Sequence, residues 1–348
     1  MQVLAGDIGG TKTLLAICEV DEASDRAGAP RIEVVASKRY DSRKFPGLGA
    51  ICRAFAEEIG RPMPRFAGFG VAGPVANGRS HTTNLPWILD EKDLAQTLGM
   101  ESVRLANDFH TLALGISALR PKDLATLNEG VRDAKGPWAV IGAGTGLGQA
   151  ITIAFASGQR EVLATEGGHT SFAPRNDLEI GILRFLSQRY GHVSWERLLS
   201  GEGLVNLAEA LASITGMSMP PALADAIRDD RAEAPSQITA AAMAGDLLCV
   251  QVLQNFCRLY GAEAGNLALK TLATGGVFVA GGIAPRILQF LTDGRFREAF
   301  FDKGRMRRLL EQMPVQVVLD TDAALLGAAA LAARQALFHS RTTPATSP

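Results

Sequence analysis

Four cysteines in 348 residues, Cys18, Cys52, Cys249 and Cys257, are too few and too scattered to staple a small domain. None belongs to a C-x-x-C pair, and none stands beside histidine at metal-ligand spacing, so no structural zinc is expected. An excess of charge of one sign is also missing. The 35 Lys plus Arg against 36 Asp plus Glu leave a formal net charge of −1, which removes the global basic field of a nucleic-acid binder. No basic stretch precedes the first apolar residues and Asp7 interrupts them, so no export signal is expected. The most apolar late run, Ala323 to Ala333, is too short to span a bilayer and reads as a buried helix. The expectation is a soluble, cytoplasmic chain with reduced, buried thiols and neither nucleic acid nor membrane as partner.

What is present is a core and three glycine-rich turns. With 47% hydrophobic and 20% charged residues, the chain is long enough for two domains or one large one. Val3 to Ile8, then Gly9-Gly10-Thr11, then Lys12 to Ile17 reads as strand, turn, strand. A second unit of the same design runs from Trp138-Ala139-Val140-Ile141 through Gly142-Ala143-Gly144-Thr145-Gly146-Leu147-Gly148 into Gln149 to Phe155. The recurrence suggests two related α/β lobes. Phe66 to Ala72 and Val103 to Ala106 read as further strands, the latter ending at Asn107-Asp108 before a helix over Phe109 to Ala118. Apolar spacing from Ile238 to Ala273 predicts one or two long helices, and Gly276 to Ile283 a strand ending in Gly281-Gly282. Strands alternating with helices make this an α/β protein.

Backbone N–H groups cradle a phosphate only where no side chain obstructs the approach, and glycine permits that. One such turn is no more than a tight hairpin; three in one chain favour a nucleotide. Neither common phosphate loop fits. A Walker A loop needs Gly before its Lys, where Thr11 precedes Lys12, and the glycines of 142–148 fall at every second position and lead into a strand rather than a helix. Asp7, Thr11 and Lys12 could add a carboxylate for hydrated Mg²⁺, a hydroxyl donor and a cation, while Asp7 alone could equally form an Asx turn. Asn107-Asp108 sits where open sheets place ligand residues, yet both are also good helix caps, and spacing does not decide. Glu166-Gly167-Gly168-His169 sets a carboxylate and an imidazole around a turn, with no third metal ligand nearby. His81, His110, His192 and His339 have no such company.

Eight blocks in order resemble the bacterial glucokinase family: Gly6 to Thr11, Leu105 to Phe109, Gly142 to Gly148, Glu166 to His169, Phe172 to Pro174, Gly191 to Arg197, Ser200 to Leu207, and Val279 to Arg286. The likeness runs from near residue 3 to near residue 333. It implies a two-lobed actin-like ATPase (ribonuclease H-like) α/β fold with an interdomain cleft, as a homodimer. The small lobe would be 1–118 plus 323–338, the large lobe 119–322, and 339–348 a disordered tail.

The same resemblance implies an ATP-dependent glucokinase, a phosphotransferase making glucose 6-phosphate at the entry to glycolysis. Asp108 would be the general base, and Asn107, Glu166, His169 and Glu196 would read the ring hydroxyls of glucose. Asp7, Gly9, Gly10, Thr11 and Lys12 would line the first phosphate loop, with Asp7 near Mg²⁺ through water and Lys12 either touching phosphate or facing solvent. Gly144, Thr145 and Gly146 would form the second loop, and Gly281 and Gly282 the adenosine-side loop. No Cys-rich zinc motif of the related repressor/kinase family follows His169, which points to the branch without zinc. A kinase for another hexose or N-acetyl hexosamine, or one using polyphosphate, is the alternative. A sugar-responsive transcription regulator is disfavoured, since the first strand at Val3 leaves no room ahead of it for a helix-turn-helix.

Overall fold

The computed structural model describes residues 1–21, 31–82, 85–155 and 160–342. Two compact units divide the chain. One comprises Met1–Pro121, Ala154–Leu163 and Asp320–Pro348; the other comprises Lys122–Ile153 and Ala164–Leu319. Among the described residues no single helix is long and apolar enough to cross a membrane.

The first unit holds β1 (Gln2–Ile8), β2 (Lys12–Asp21), β3 (Arg31–Asp41), β4 (Phe66–Val71), the short β5 (Val75–Ala76), β6 (Arg79–His81) and β7 (Ile88–Asp90), and β8 (Ser102–Asn107). Its main sheet has the order β3-β2-β1-β4-β8, with β1 antiparallel to β2 and parallel to β4, and β4 parallel to β8. Val3, Leu4 and Ala5 are all fully buried because both faces of the sheet are covered. Leu4, Ile8, Leu15 and Ile17 pack with Phe55 and Phe69 on one side, while Val3, Ala5, Ala16 and Cys18 meet Leu325, Ala328, Ala329 and Ala332 on the other.

Those last four belong to the C-terminal helix, Ala323–Thr342. It lies backbone against backbone on its neighbours. A Cβ on Gly68 would fall 2.1 Å from the Ala328 carbonyl oxygen, and one on Gly327 would fall 1.6 Å from that of Thr111. The helix runs through Ser340, whose hydroxyl bonds the Leu337 carbonyl, so residues 339–342 are not part of a disordered tail. No Gly or Pro interrupts the chain between Leu331 and Thr342, the last described residue. Residues 343–348 lie outside the described residues.

A second sheet comprises β9 (Leu124–Asn128), β10 (Trp138–Ala143), β11 (Leu147–Ala154), β12 (Arg160–Thr165), β13 (Gly276–Ala280) and β14 (Val315–Val318), in the order β12-β11-β10-β13-β14-β9. The wiring of the first unit recurs: β10 turns back into antiparallel β11 and then pairs in parallel with β13, which pairs in parallel with β14. The predicted long helical stretch divides in two, Ala234–Met243 and Leu247–Thr271. The break is at Gly245, with φ at +90°, and Asp246 then caps the second helix by accepting from the Cys249 amide. All four cysteines are free and buried.

The helix-to-sheet contact in the first unit depends on the missing side chain at Gly327. Gly327→Ala should lower stability by about 1–3 kcal/mol through overpacking against backbone that cannot swing aside. Thermal denaturation reads this directly, and an unchanged Tm would show that the helix can move outward at no cost.

Candidate active site

The residues singled out from the sequence fall into two sets, one in each unit. In the first unit the sheet register sets Asp7 opposite Gly70 and Val71 opposite Asn107, so the ends of β1, β4 and β8 are level. Asn107 is the N-cap of the helix Asp108–Gly115: its Oδ1 accepts from the amides of Phe109 and His110, and its Nδ2 donates to the Gly73 carbonyl at 3.1 Å. Asn107 also hydrogen-bonds the Asp108 carboxylate. Asp108 accepts from the Phe109 amide at 2.8 Å through Oδ1. Burial raises its carboxyl above the usual value, against the backbone and Asn107 hydrogen bonds that pull it down.

Asp7 is pushed further, to about 6, first by burial, then by the charges of Asp108 and Asp322, with Arg39 opposing. Its carboxylate accepts no hydrogen bond from the described residues, so only the charge of Arg39 works against the cost of taking it out of water. The turn beside it is tight: the Gly9 amide donates to the Lys12 carbonyl at 2.9 Å, and Thr11 and Lys12 are exposed. Ser42 clasps this turn from a distant part of the chain. Its amide donates to the Thr11 carbonyl, and its hydroxyl donates to that of Gly9 and lies 2.9 Å from the Thr13 hydroxyl.

In the second unit three turns converge. The Gly144 amide donates to the Gly146 carbonyl, closing the β10–β11 turn; the Gly201 amide donates to the Gly144 carbonyl, and that of Ile283 to the Ala143 carbonyl. The two glycine loops and the N-terminus of the helix Gly201–Thr215 therefore share one region. Helix N-termini and glycine loops together offer the N–H groups and the dipole that favour phosphate. Gly281 sits at φ +85° with its would-be Cβ 2.3 Å from the Ala143 carbonyl oxygen, while Gly144 and Gly282 face open space. Beneath, the Tyr260 hydroxyl accepts from the Ala143 amide at 3.0 Å and lies 3.2 Å from the carbonyl oxygens of Ile141 and Ala280 as their donor.

Next to the loop, Glu196 Oε2 accepts from the Leu147 amide at 2.9 Å. His169 stands between two carboxylates, with Nδ1 3.8 Å from Glu196 Oε1 and Nε2 3.9 Å from Glu166 Oε2. The turn carrying Glu166 and His169 lies flat on β11: a Cβ on Gly168 would fall 2.1 Å from the Leu147 carbonyl oxygen. Glu202, given no role from sequence, accepts from Arg231 and Tyr190. Sequence reasoning missed Ser42 and Tyr260, because each acts on a motif through partners at least 20 residues away in the chain and nothing local marks them.

Comparison with solved structures defines the class. A glucokinase from an Antarctic psychrotroph superposes with a TM-score of 0.83 at 31% identity, covering 96% of this chain and 99% of that one. A ROK family glucokinase from Streptomyces griseus, solved in complex with glucose and AMPPNP, shares the fold with a TM-score of 0.61 at 23% identity over 96% of this chain and all of the other. The fold is the actin-like ATPase fold of these sugar kinases. A family model for glucokinase matches residues 4–335, and a glucokinase of Trichormus variabilis is 41% identical over 345 residues, 95% of this chain and 99% of its own length. The chain belongs to the glucokinase family and is a phosphotransferase.

The buried Asp7 carboxylate sets a stability signature. Its proton leaves near pH 3.8 when unfolded and near 6 when folded. Between those values the folded state binds more protons, so stability falls as the pH rises through that window. Asp7→Asn should therefore raise the Tm of the ligand-free protein at pH 8, with the gain shrinking toward pH 4. Identical melting curves at pH 8 would contradict the assignment.

Proposed function

We propose that this chain transfers the γ-phosphoryl group of ATP to the 6-hydroxyl of glucose, with Asp108 as general base. The observation that carries the reading is the trio Glu166, His169 and Glu196. These groups approach to 3.8–3.9 Å without hydrogen-bonding one another. A polyol has no charge to grip, and carboxylates and an imidazole that stand at that spacing without hydrogen-bonding one another are groups that adjacent ring hydroxyls can bridge. Asn107 is read as a further hydroxyl-binding group. A site built for hydroxyls rejects analogues that lack them, because its polar groups are then left unpaired.

Phosphoryl transfer passes through a loose transition state in which positioning and charge neutralisation supply most of the catalysis. Asp7, Gly9, Gly10, Thr11 and Lys12 are read as one phosphate loop and Gly144, Thr145 and Gly146 as a second, with Gly281 and Gly282 toward the adenosine. Among the described residues no three acidic, His or Cys side chains form a metal cluster. Mg²⁺ does not need one, since it takes one or two carboxylates and completes its shell with phosphate oxygens and water. Asp7, buried, without hydrogen bonds and costly to ionise alone, fits that part. Bound with ATP, the ion supplies neutralisation of the phosphate charge. Asp108, raised by burial, is a stronger base than an exposed carboxylate, and it takes the proton from the 6-hydroxyl as the oxygen attacks.

Asp108→Asn should fold as the parent does, by circular dichroism and Tm, and lose about 10²–10⁴-fold in kcat with ATP and glucose. Near-parental turnover in this variant would remove Asp108 from the mechanism. The acid limb of the parent's kcat/KM profile should also lie above the ordinary carboxylate range, because protonating Asp108 abolishes the base.

A further inference from the structure

The second unit contains one fully buried carboxylate that the reaction as proposed does not use. Glu263, on the helix Leu247–Thr271, has no solvent exposure. It accepts from Gln149 Nε2 through Oε1 and from Asn266 Nδ2 through Oε2, both at 2.9 Å. Burial pushes its carboxyl up, while the two amide donors and the nearby Lys270 and Lys303 oppose that shift. A carboxylate only accepts, so it dictates which end of the Gln149 amide it receives: the NH₂ group faces Glu263 and the carbonyl oxygen faces the other way.

That other side is the Glu166–His169 turn. A Cβ on Gly167 would fall 2.2 Å from Gln149 Oε1, so the turn backbone rests directly on this side chain. The backbone of Gln149 holds the turn as well. Its carbonyl accepts from the Thr165 hydroxyl at 3.0 Å, and that hydroxyl accepts from the Gly167 amide at 3.2 Å. Two residues earlier on β11, the Leu147 amide anchors Glu196. All three members of the trio are therefore referenced to one short stretch of β11, and the side chain at its centre is oriented from below by Glu263.

We infer that Glu263 is a positioning residue for sugar recognition, acting through Gln149 to hold the Glu166–His169 turn at the height where its side chains and Glu196 meet the same hydroxyls. The inference rests on the reading of those three residues as the glucose-binding groups. It assigns Glu263 no contact with sugar or nucleotide. Replacing it by glutamine leaves the volume but presents an NH₂ group to one of two amides that can only donate there, so one contact is lost and Gln149 is free to turn its carbonyl away from Gly167.

The test is steady-state kinetics of the full chain, varying glucose at saturating ATP–Mg²⁺ and ATP at saturating glucose. Glu263→Gln should raise the glucose KM about tenfold, the scale of one misplaced hydrogen-bonding group, with the ATP KM and kcat within about twofold. The swap Gln149→Glu with Glu263→Gln restores a carboxylate–amide pair across the same gap and should recover most of the loss. A merely structural role predicts a lower Tm with both KM values unchanged, or both raised together, and either result overturns the inference. If Glu263→Gln does not fold, Gln149→Met reads the same point, since it removes the amide beneath the turn while leaving Asn266 on Glu263; an unchanged glucose KM there overturns the inference as well. His169→Ala is the control that separates the two layers. An unchanged glucose KM in that variant removes the trio as the sugar site, and the inference falls with it. A raised KM in His169→Ala beside an unchanged one in Glu263→Gln sinks the positioning role alone.

Discussion

Strand register is the constraint on which the rest depends. Side chains alternate across a sheet, so a one-residue slip of any strand would turn its functional groups to the opposite face. In the first unit β4 lies between β1 and β8 and pairs in parallel with both, which brings Asp7, Gly70 and Ala106 to one level and Ile8, Val71 and Asn107 to the next. In the second unit β10 does the same with β13, setting Gly142 opposite Ala280 and so placing the two glycine loops side by side. The register is held by burial on both faces, where Val3, Leu4 and Ala5 cannot exchange sides without meeting a different core. The catalytic geometry is therefore a consequence of core packing several residues away.

Against that rigid frame, carboxylates taken out of water meet two different fates. Glu263 receives two amide donors at 2.9 Å and is structurally complete. Asp7 receives none from the described residues, and Asp108 nearby adds like charge with Arg39 opposing, so Asp7 is costly to ionise in the protein. A carboxylate left without hydrogen bonds lowers the stability of the empty protein, and it persists where a ligand completes it, which is the part proposed for Asp7. Glu263 and Asp7 thus differ in whether the protein itself completes the group.

The loops proposed for phosphate could be read from the chain because recognition through backbone leaves a mark in composition. Loops that offer N–H groups need glycine, and glycine followed by a strand is visible in a single sequence, as at Gly9-Gly10, Gly144 and Gly281-Gly282. The α/β class and the paired hairpins were visible for the same reason. Asn107 was ambiguous between cap and ligand, and the structure shows the cap outright. The supporting residues carried no local signal. Ser42 reaches Gly9 across 33 positions, Tyr260 reaches Ile141 across 119, and Glu263 reaches Gln149 across 114. Such pairs exist only once the sheet has formed. The start of the tail was placed too early because polar composition after Phe338 resembles a tail, whereas the helix continues through Thr342 with no Gly or Pro to interrupt it.

Phosphate and sugar pose different physical demands, and on the proposed reading the second unit meets each in its own way. A phosphate is met by N–H groups whose positions follow from backbone hydrogen bonds alone, so Gly144 and Gly282 can face open space with nothing packed on them. Sugar hydroxyls are met by side chains, and side chains have rotamers to lose. Glu166 is 89% exposed and His169 61%, and neither is hydrogen-bonded to the other or to Glu196. Ordering them falls to the ligand, at an entropic cost that weakens binding. That cost stays bounded because the backbone beneath them does not move: Gly167 and Gly168 lie in contact with Gln149 and Leu147, leaving only the terminal torsions to be fixed. A loop free in both backbone and side chain would lose far more freedom on binding, so a firm floor under mobile carboxylates is the arrangement by which neutral hydroxyls can be read without a charge to hold.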